Sequence, residues 1–399
     1  MNILIFCQYF PPDFGGASKR AYNIAKALKI QGCNVVVITS FPHYPHGNIP
    51  KKYSGKFFTN EELDGIKIIR TRIPNLSHST NFKRVILHLS FVFWSSIAIR
   101  KIKNVDIIFA MNPNIFAFFP AWIAKKFFHK KIIRNVDDLW PEVFYDLGIV
   151  KFRLWKKILD FVTAQTYRIP NVITPISEGY VDTIIKKYNI PSEKIIVIEH
   201  GVDTKKFYPQ NINHNKKKIV MYSGALTIGY DFQTLLKSAK LLEKENLQFI
   251  IRGTGELYED IKKNIIEENL KNVELNSKLL PEDELIKLLN TADVFVLPMS
   301  PSNIIDKGLP TKILEFQALG KPIVCLSKGE SGNYVNKTNS GIVVNESDPE
   351  KLAQAIHSLC SNDDLIKKLG MNGLSYIQKN LTLEKIGKRF LEIISSLQN

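Results

Sequence analysis

Short apolar segments alternate with segments of helical periodicity from one end of the chain to the other. Residues 2–7 form an apolar run that ends in a Pro/Gly loop, and residues 17–30 then carry apolar side chains at helical spacing. A continuous apolar run is typical of a strand that is buried on both faces of a parallel sheet. The pattern therefore predicts an α/β fold of doubly wound parallel sheets with helices on both faces.

The alternation occurs twice, so we expect two Rossmann-like domains. Strands are predicted at 35–38, 66–70, 107–110, 131–135 and 171–175, and again at 219–222, 248–251, 273–275, 294–297 and 322–325. Residues 210–218 (QNINHNKKK) lack periodicity and are interpreted as a linker or long loop. We predict domains at 1–200 and 201–380 that face each other across a ligand-binding cleft. We expect a C-terminal helix at 381–399 that packs on the first domain.

The positive charge of the chain is concentrated in its first half. The formal net charge is +16, and residues 1–199 hold 28 Lys/Arg against 14 Asp/Glu, whereas residues 200–399 hold 26 against 24. A basic face attracts polyanions, which include nucleic acid, anionic lipid and phosphate-bearing substrates. Because the basic residues are scattered and no nucleic-acid-binding module is recognisable, we predict an anionic membrane surface as the partner and no nucleic acid.

The cysteine pattern and the N-terminus favour a cytoplasmic location. None of the four cysteines belongs to a CxxC pair, so we interpret them as buried, reduced thiols. The first residues lead straight into a strand without the features of a signal peptide. Residues 85–99 form an apolar run between basic residues, and two interpretations stay open: a helix buried in a domain, or a helix at the membrane interface.

Glycines follow three of the predicted strands. Gly15 and Gly16 precede the first helix, Gly224 follows the strand at 219–222, and Gly253 and Gly255 follow the strand at 248–251. Such turns let a ligand approach backbone amides closely, although a tight turn without a ligand is an equally good interpretation of each one. None is GxGxxG, and the acidic residue of a dinucleotide site is also missing, which argues against an NAD enzyme.

Residues 309–324 (LPTKILEFQALGKPIV) give the strongest local signal. Pro310 suits the first turn of a helix, whose free amides at Thr311 and positive dipole end form a diphosphate site. Lys312 adds a full charge, and Glu315 lies one turn further on the same face, where its carboxylate can accept from two ribose hydroxyls. A plain surface ion pair between Lys312 and Glu315 is the alternative.

Three carboxylates follow the predicted strand at 131–135, in the sequence NVDDLWPE. Asp138 and Glu142 can orient an acceptor hydroxyl or take its proton, although helix capping is the simpler role for an Asp at this position. Because no His/Cys/Asp cluster has ligand spacing, we predict no metal.

Taken in order, these motifs resemble glycosyltransferase family 4, the retaining enzymes of GT-B fold, over nearly the whole chain. The motifs are the paired glycines, the segment 199–203 (EHGVD), both later glycine turns, and 315–324, which is similar to the second half of the family's Glu-x7-Glu motif. The segment DLWPE at 138–142 is similar to a bacterial O-antigen and capsule subgroup that includes proposed L-fucosamine transferases.

The resemblance implies a nucleotide-sugar donor, UDP-linked or other, in the second domain and a lipid-linked glycan acceptor in the first. We assign Asp138, Glu142 and Lys312 to catalysis. The donor-binding residues are Gly16, Gly224, Arg252, Gly253, Gly255, Glu256, Lys307, Thr311, Lys312 and Glu315. The acceptor-binding residues are Ser18, Arg20, Asp138 and Trp140.

Two departures from the family pattern weigh on this assignment. The first Glu of Glu-x7-Glu is replaced by Lys307, and the loop after Gly224 lacks the usual Arg and Lys, so Lys312, Arg252 or Lys307 must supply the positive charge. We expect a metal-independent glycosyltransferase of surface polysaccharide synthesis, peripherally bound at the inner membrane. The alternative is a catalytically inactive nucleotide-sugar-binding protein of the same fold.

Overall fold

The computed structural model describes residues 1–44, 47–77, 80–111, 115–146, 148–210, 212, 217–301 and 304–398. The chain forms two compact units, one of Met1–Gly201 with Leu383–Asn399 and one of Val202–Thr382. Most of the predicted linker, residues 211 and 213–216, lies outside the described residues.

The strands and helices alternate along both units. The strands are β1 (Asn2–Phe6), β2 (Asn34–Ser40), β3 (Phe58–Leu63), β4 (Ile66–Thr71), β5 (Ile107–Ala110), β6 (Lys131–Val136), β7 (Val172–Pro175), β8 (Lys218–Ser223), β9 (Leu247–Arg252), β10 (Val273–Asn276), β11 (Val294–Pro298), β12 (Ile323–Leu326) and β13 (Gly341–Val344). The helices are α1 (Gly16–Ile30), α2 (Asn81–Ala98), α3 (Phe118–Phe128), α4 (Glu142–Asp146), α5 (Arg153–Arg168), α6 (Val181–Tyr188), α7 (Phe232–Leu241), α8 (Tyr258–Glu267), α9 (Glu282–Asn290), α10 (Thr311–Ala318), α11 (Glu330–Thr338), α12 (Pro349–Cys360), α13 (Asp363–Asn380) and α14 (Leu383–Gln398).

The first unit is built on a seven-stranded sheet in the order β3-β4-β2-β1-β5-β6-β7. The pairs are parallel except for β3, which runs antiparallel to β4. The sequence pattern did not predict β3, because FTNEEL is mostly polar. An antiparallel edge strand can keep one face in water, so it needs no continuous apolar run.

Helices cover both faces of this first sheet. Right-handed crossovers place α2, α3 and α5 on one face and α1 on the other. Under α2 and α3 lies a core that includes Leu4, Ile108, Phe118 and Ala121. These apolar contacts hold the helical layer on the sheet.

The C-terminal helix α14 packs on α1 within the first unit. A Cβ at Gly387 would overlap the carbonyl oxygen of Ala27, so the two helices meet at a point without a side chain. The ring of Phe390 lies 5.4 Å from that of Phe109 in β5, and Arg389 pairs with Glu199 at 2.9 Å. The last helix is therefore part of the first unit although it follows the second unit in the sequence.

The second unit has six parallel strands in the order β10-β9-β8-β11-β12-β13. Its core includes Phe316 of α10 stacked on Phe295 of β11, with ring centroids 3.6 Å apart. The elements that the sequence pattern missed here are short or polar: α8, α11 and β13. The predicted fold class of two doubly wound α/β domains is confirmed.

Candidate functional site

All six strands of the second unit end at one edge of the sheet, and two glycine turns meet there. The amide of Gly224, after β8, donates to the carbonyl of Arg252 at 3.0 Å, and the amide of Leu226 donates to that of Thr254 at 2.9 Å. A Cβ at Gly253 would overlap the carbonyl oxygen of Gly224. Glycine is thus required by the close packing of one turn on the other.

The second turn continues into residues predicted to contact the donor. A Cβ at Gly255 would overlap the carbonyl oxygen of Leu226. The exposed side chain of Glu256 accepts from the amide of Ile228 at 3.2 Å. Gly255 and Glu256 therefore form the exposed rim of the two turns.

Helix α10 begins at the same edge, because it connects the carboxyl end of β11 to the start of β12. Its N-cap is Pro310, whose ring offers no acceptor, and no side chain caps the helix start. The amides of the first turn, at Thr311 and Lys312, precede the first residue that can form an i to i−4 bond inside the helix. This start has the polarity that attracts an anion.

The ammonium of Lys312 is held between two tyrosine rings. Its Nζ donates to the hydroxyl of Tyr222 at 2.8 Å and lies 4.3 Å from the centroid of that ring. The ring of Tyr230 lies on another side, with its centroid 4.1 Å from Nζ. The Tyr222 hydroxyl in turn donates to the carbonyl of Ala225 at 2.6 Å. We call Lys312, Tyr222 and Tyr230 the lysine cage.

Burial lowers the pKa of Lys312 to about 7, although the neighbouring Glu315 acts in the opposite direction. Cation–π contacts favour the charged form, but they replace the water that an exposed ammonium would have. A diphosphate next to this amine would raise its pKa again. The cage therefore holds an amine whose charge responds to an anion.

The two other predicted cations have different surroundings. The guanidinium of Arg252 is buried and donates to Ser223 Oγ at 3.3 Å and to the carbonyl of Lys278 at 2.9 Å. Burial lowers its pKa. Lys307 is half-buried at the end of a short 3-10 turn. Of the three, Arg252 ties the ends of neighbouring strands together.

Asp306, which precedes Lys307, was not among the predicted site residues. Its buried carboxylate accepts from Ser327 Oγ at 2.6 Å, and burial raises its pKa. A Cβ at Gly329 would overlap Asp306, so the loop after β12 packs directly on this carboxylate. A lone Asp three residues before Leu309-Pro310 gave no sequence signal of this packing.

In the first unit a buried polar cluster lies at the end of β6. Arg20 of α1 donates to Asn135 Oδ1 at 2.6 Å and to the carbonyl of Ile198 at 3.1 Å, and its Nε lies 2.6 Å from Asp137 Oδ1. Burial raises the pKa of Asp137 to about 7, and Arg20 opposes this rise. Burial also lowers the pKa of Arg20 to about 10. Asn135 and Asp137 belong to this cluster, although they were not among the predicted site residues.

The predicted acceptor residues lie around this cluster. Ser18 is buried in the first turn of α1, and Gly16, which was predicted to bind the donor, opens the same helix. Asp138 is half-buried next to Asp137, and burial raises its pKa. The ring of Trp140 packs on Phe144 with centroids 4.0 Å apart.

Glu142 faces a different set of partners. Its buried carboxylate accepts from the hydroxyl of Tyr188 and pairs with Lys187 at 3.0 Å. Lys187 also pairs with Asp160 of α5 at 2.8 Å. These contacts connect α4 to α5 and α6, so Glu142 stabilises the packing of these three helices.

His200 lies in the segment 199–203, one of the motifs that carry the family resemblance. It is buried, and its pKa lies well below the ordinary value because of burial and the charges of Arg20 and Lys19. The imidazole is therefore neutral at physiological pH. Among the residues the structure describes, no group of three or more His, Cys, Asp or Glu could hold a metal ion.

Two family models match the chain in succession. Residues 14–206 match Glycosyltransferase Family 4, and residues 203–375 match Glycosyl transferases group 1. A putative colanic acid biosynthesis glycosyl transferase of Escherichia coli K12 is 24% identical over 99% of this chain and 100% of its own length. The O-antigen chain mannosyltransferase C of Escherichia coli is 20% identical over 100% of this chain and 99% of its own.

Solved structures of low sequence identity share the fold. Sucrose-phosphate synthase from Thermosynechococcus elongatus has a TM-score of 0.78 at 18% identity, covering 99% of this chain and 98% of its own. The Anabaena protein HepE, in complex with UDP and glucose, has a TM-score of 0.72 at 14% identity, covering 99% of both chains.

The fold is that of the GT-B glycosyltransferases. The chain belongs to the glycosyltransferases that join a Family 4 domain to a group 1 domain, and it is an enzyme of that class.

Proposed function

We propose that the enzyme moves a sugar from a nucleotide diphosphate to a polyprenyl-diphosphate-linked or other glycan acceptor in surface polysaccharide synthesis. The lysine cage at the start of α10 is the observation that carries this proposal, because transfer leaves a diphosphate that needs positive charge. The full-length similarity to relatives named for colanic acid and O-antigen synthesis supports the product class.

The donor roles follow the carboxyl edge of the second unit. The first-turn amides at Thr311 and the backbone at Gly224 bind the diphosphate, and Lys312 neutralises the charge that grows as the sugar leaves. Glu315 accepts from the ribose hydroxyls, and residues 253–256 border the base. Arg252 acts through the turns that it holds, and Lys307 lies where the sugar is recognised.

The acceptor roles belong to the first unit. Asp138 and Trp140 orient the acceptor hydroxyl, and Ser18 and Arg20 support that surface from α1. Glu142 positions this segment through Tyr188 and Lys187. The bond from the sugar to the diphosphate breaks, the bond to the acceptor oxygen forms, and the departing diphosphate takes the acceptor proton. This gives retention of configuration, as the resemblance implies.

The donor is a UDP-sugar or another nucleotide sugar, with an N-acetylated amino or deoxy sugar favoured by the DLWPE segment. We propose that no metal takes part. Transfer should therefore proceed at an unchanged rate in EDTA, measured as nucleotide release with an authentic donor. A rate that EDTA abolishes and Mg²⁺ restores would contradict this part of the proposal.

The site of action that we propose is the cytoplasmic face of an anionic membrane, with the enzyme peripherally bound. The charge excess of residues 1–199 supports this location, because a basic surface and a lipid-diphosphate acceptor both match an anionic membrane.

A panel of nucleotide sugars, screened by thermal shift and then by product formation, tests the function. A donor that binds only the native state raises the melting temperature, and its product identifies the sugar and the anomer. Binding without transfer or hydrolysis would support the inactive binding protein instead. Stabilisation by none of the nucleotide sugars would overturn the proposed donor site.

A further inference from the structure

Three helices on one face of the first-unit sheet expose large apolar side chains. Phe152 is 75% exposed and Phe82 is 74% exposed, values at which the rings lie mostly in solvent. We call the following set the outer face: Phe82, Val85, Leu89 and Phe93 of α2, Trp122, Ile123 and Phe127 of α3, and Phe152, Leu154, Trp155, Ile158 and Phe161 at α5. Helices α2 and α3 contact each other, and exposed apolar side chains clustered in this way mark a binding surface.

In α5 the exposed side of the helix carries large apolar residues. Leu154, Ile158 and Phe161 follow one another at i, i+4 and i+7, so they share a side of the helix, and that side is exposed. The acidic Asp160 faces the fold, where it pairs with Lys187 and accepts from the hydroxyl of Tyr145 at 3.1 Å. An exposed apolar side on a helix whose one acidic group is paired within the unit is stabilised by an apolar environment outside.

Helix α2 is apolar on both sides. Its inner residues Leu87 and Phe91 pack in a core with Phe41 and Tyr53. Among the described residues, the segment Asn81–Lys101 is the one helix long and apolar enough to cross a membrane, and 28% of its 18-residue apolar window is buried. Because the inner stripe is part of the core, α2 fits a position along a membrane better than one across it.

The segments that carry the outer face are basic. Residues 80–103, 115–131 and 148–162 contain 13 Lys/Arg and one acidic residue, Asp160, whose carboxylate faces the fold. Arg153 and Lys157 lie beside the apolar side of α5 and are exposed. Apolar side chains bordered by positive charge are complementary to a bilayer with anionic head groups.

We propose that the outer face is a docking surface for an anionic lipid bilayer, into whose interface the aromatic and aliphatic side chains of α2, α3 and α5 insert. This inference rests on the membrane-association part of the proposed function and is separate from the transfer reaction. Insertion accounts for the exposed apolar side chains of α5, which positive charge alone does not explain.

Flotation of the full-length protein with vesicles of phosphatidylglycerol and phosphatidylethanolamine tests the proposal. We expect binding at low salt and a bound fraction that persists at 0.5 M NaCl, because insertion of apolar groups is not screened by salt. The triple variant Leu154→Glu, Trp155→Glu, Phe161→Glu should bind at least about tenfold more weakly, since a charge in the interface is costly. The three substituted residues are exposed in the wild type, so the variant should still fold, and circular dichroism measures whether its helix content is unchanged.

The matched control changes exposed apolar residues of the second unit, Leu241→Glu with Ile266→Glu, and should float like the wild type. Equal flotation of the α5 triple variant and the wild type would overturn the proposal. So would a dimer in solution that the triple variant dissociates while vesicle binding is absent, because the face would then bind a second copy. Nucleotide-sugar binding and hydrolysis should be unchanged in the triple variant. If the wild-type protein neither binds nor hydrolyses a nucleotide sugar, that result contradicts the proposed function and leaves the membrane-docking proposal unaffected.

Discussion

Lys312 combines a helix start, two aromatic rings and a pKa of about 7 in one side chain. An exposed lysine would be charged whether or not the donor is present. In the cage, the amine is already desolvated in the protein without donor, so donor binding does not have to remove that water. A developing diphosphate charge can then interact with the amine at low dielectric, where such interactions are strongest.

Lys312→Ala should lower kcat by about 10²–10³, the usual effect of removing one group that stabilises developing charge. The dissociation constant of the donor should change less, because the helix amides and the ribose contact persist. Steady-state kinetics and calorimetry measure the two quantities. The exposed Lys337→Ala serves as the control, and an equal loss of binding and turnover in Lys312→Ala would contradict the assigned role.

The cage also predicts a pH dependence of stability. The pKa of Lys312 is about 7 in the folded state against an ordinary 10.5, so between these values the unfolded state binds more protons. The contribution of Lys312 to the free energy of unfolding therefore rises with pH across that window. The destabilisation caused by burying the charged amine is complete below pH 7. We expect the free energy of unfolding of the wild type, relative to Lys312→Met, to increase from pH 7 to pH 9.5.

Urea denaturation of both proteins at the two pH values measures this difference. Other titrating groups cancel in the comparison because both proteins share them. A difference that is independent of pH would show that the amine stays charged in the folded protein.

The sequence predicted Lys312 because proline, threonine and lysine at a helix start are local signals. It could not predict Tyr222 and Tyr230, since their contact with Lys312 depends on the fold and spans about 80 to 90 residues of chain. Asp137 was recognised in its segment, but its pairing with Arg20 depends on the contact of α1 with β6. Long-range pairs of this kind have no signature in a single sequence.

The interlocked glycine turns after β8 and β9 stabilise the carboxyl edge of the sheet in the second unit. Each strand end holds the other through amide-to-carbonyl bonds. Gly253 has φ of +146°, a conformation that favours glycine, and it also contacts the backbone of Gly224. The positive φ and the close backbone contact each require glycine at position 253.

Gly253→Ala should destabilise the protein by about 1–3 kcal/mol and weaken donor binding, because the backbone must shift to admit a methyl group. Gly55 is a matched control: its φ is +72°, but nothing lies within 4 Å of an added Cβ. Gly55→Ala thus reports the cost of conformation alone. Denaturation and donor titration of the two variants separate overlap from conformation, and equal effects would contradict the interlocking.

Elements with a strong apolar core were predictable from the sequence, and the polar or short ones were not. Strands β5, β8, β11 and β12 contain continuous apolar runs, whereas β3 is mostly polar and β13 begins with Gly341. Helix α8 buries Ile261 and few other apolar side chains. Amphipathic periodicity detects buried faces, so elements that bury little give a weak pattern.

At the scale of the whole molecule, the first unit is discontinuous in sequence. Helix α14 covers α1 and contributes Phe390 and Arg389 to that unit, after the chain has formed the entire second unit. Folding of the first unit is therefore incomplete until the last residues are present.

A fragment of residues 1–201 should be soluble only when residues 383–399 are supplied, whereas residues 202–382 should fold alone. Removal of α14 exposes Phe109 and the apolar face of α1, which favours aggregation. Expression of 1–201 with and without a linked 383–399 segment, followed by thermal denaturation, checks this expectation. A cooperative transition in 1–201 alone would contradict it.

The ends of the second unit lie side by side, since Val202 pairs with Thr382 and donates to the carbonyl of Leu381 at 2.8 Å. A module whose entry and exit adjoin can be cut out and replaced with little rearrangement of its host. Exchange of residues 202–382 for the equivalent stretch of a related enzyme would thus be a route to new donor specificity, in the laboratory as in evolution.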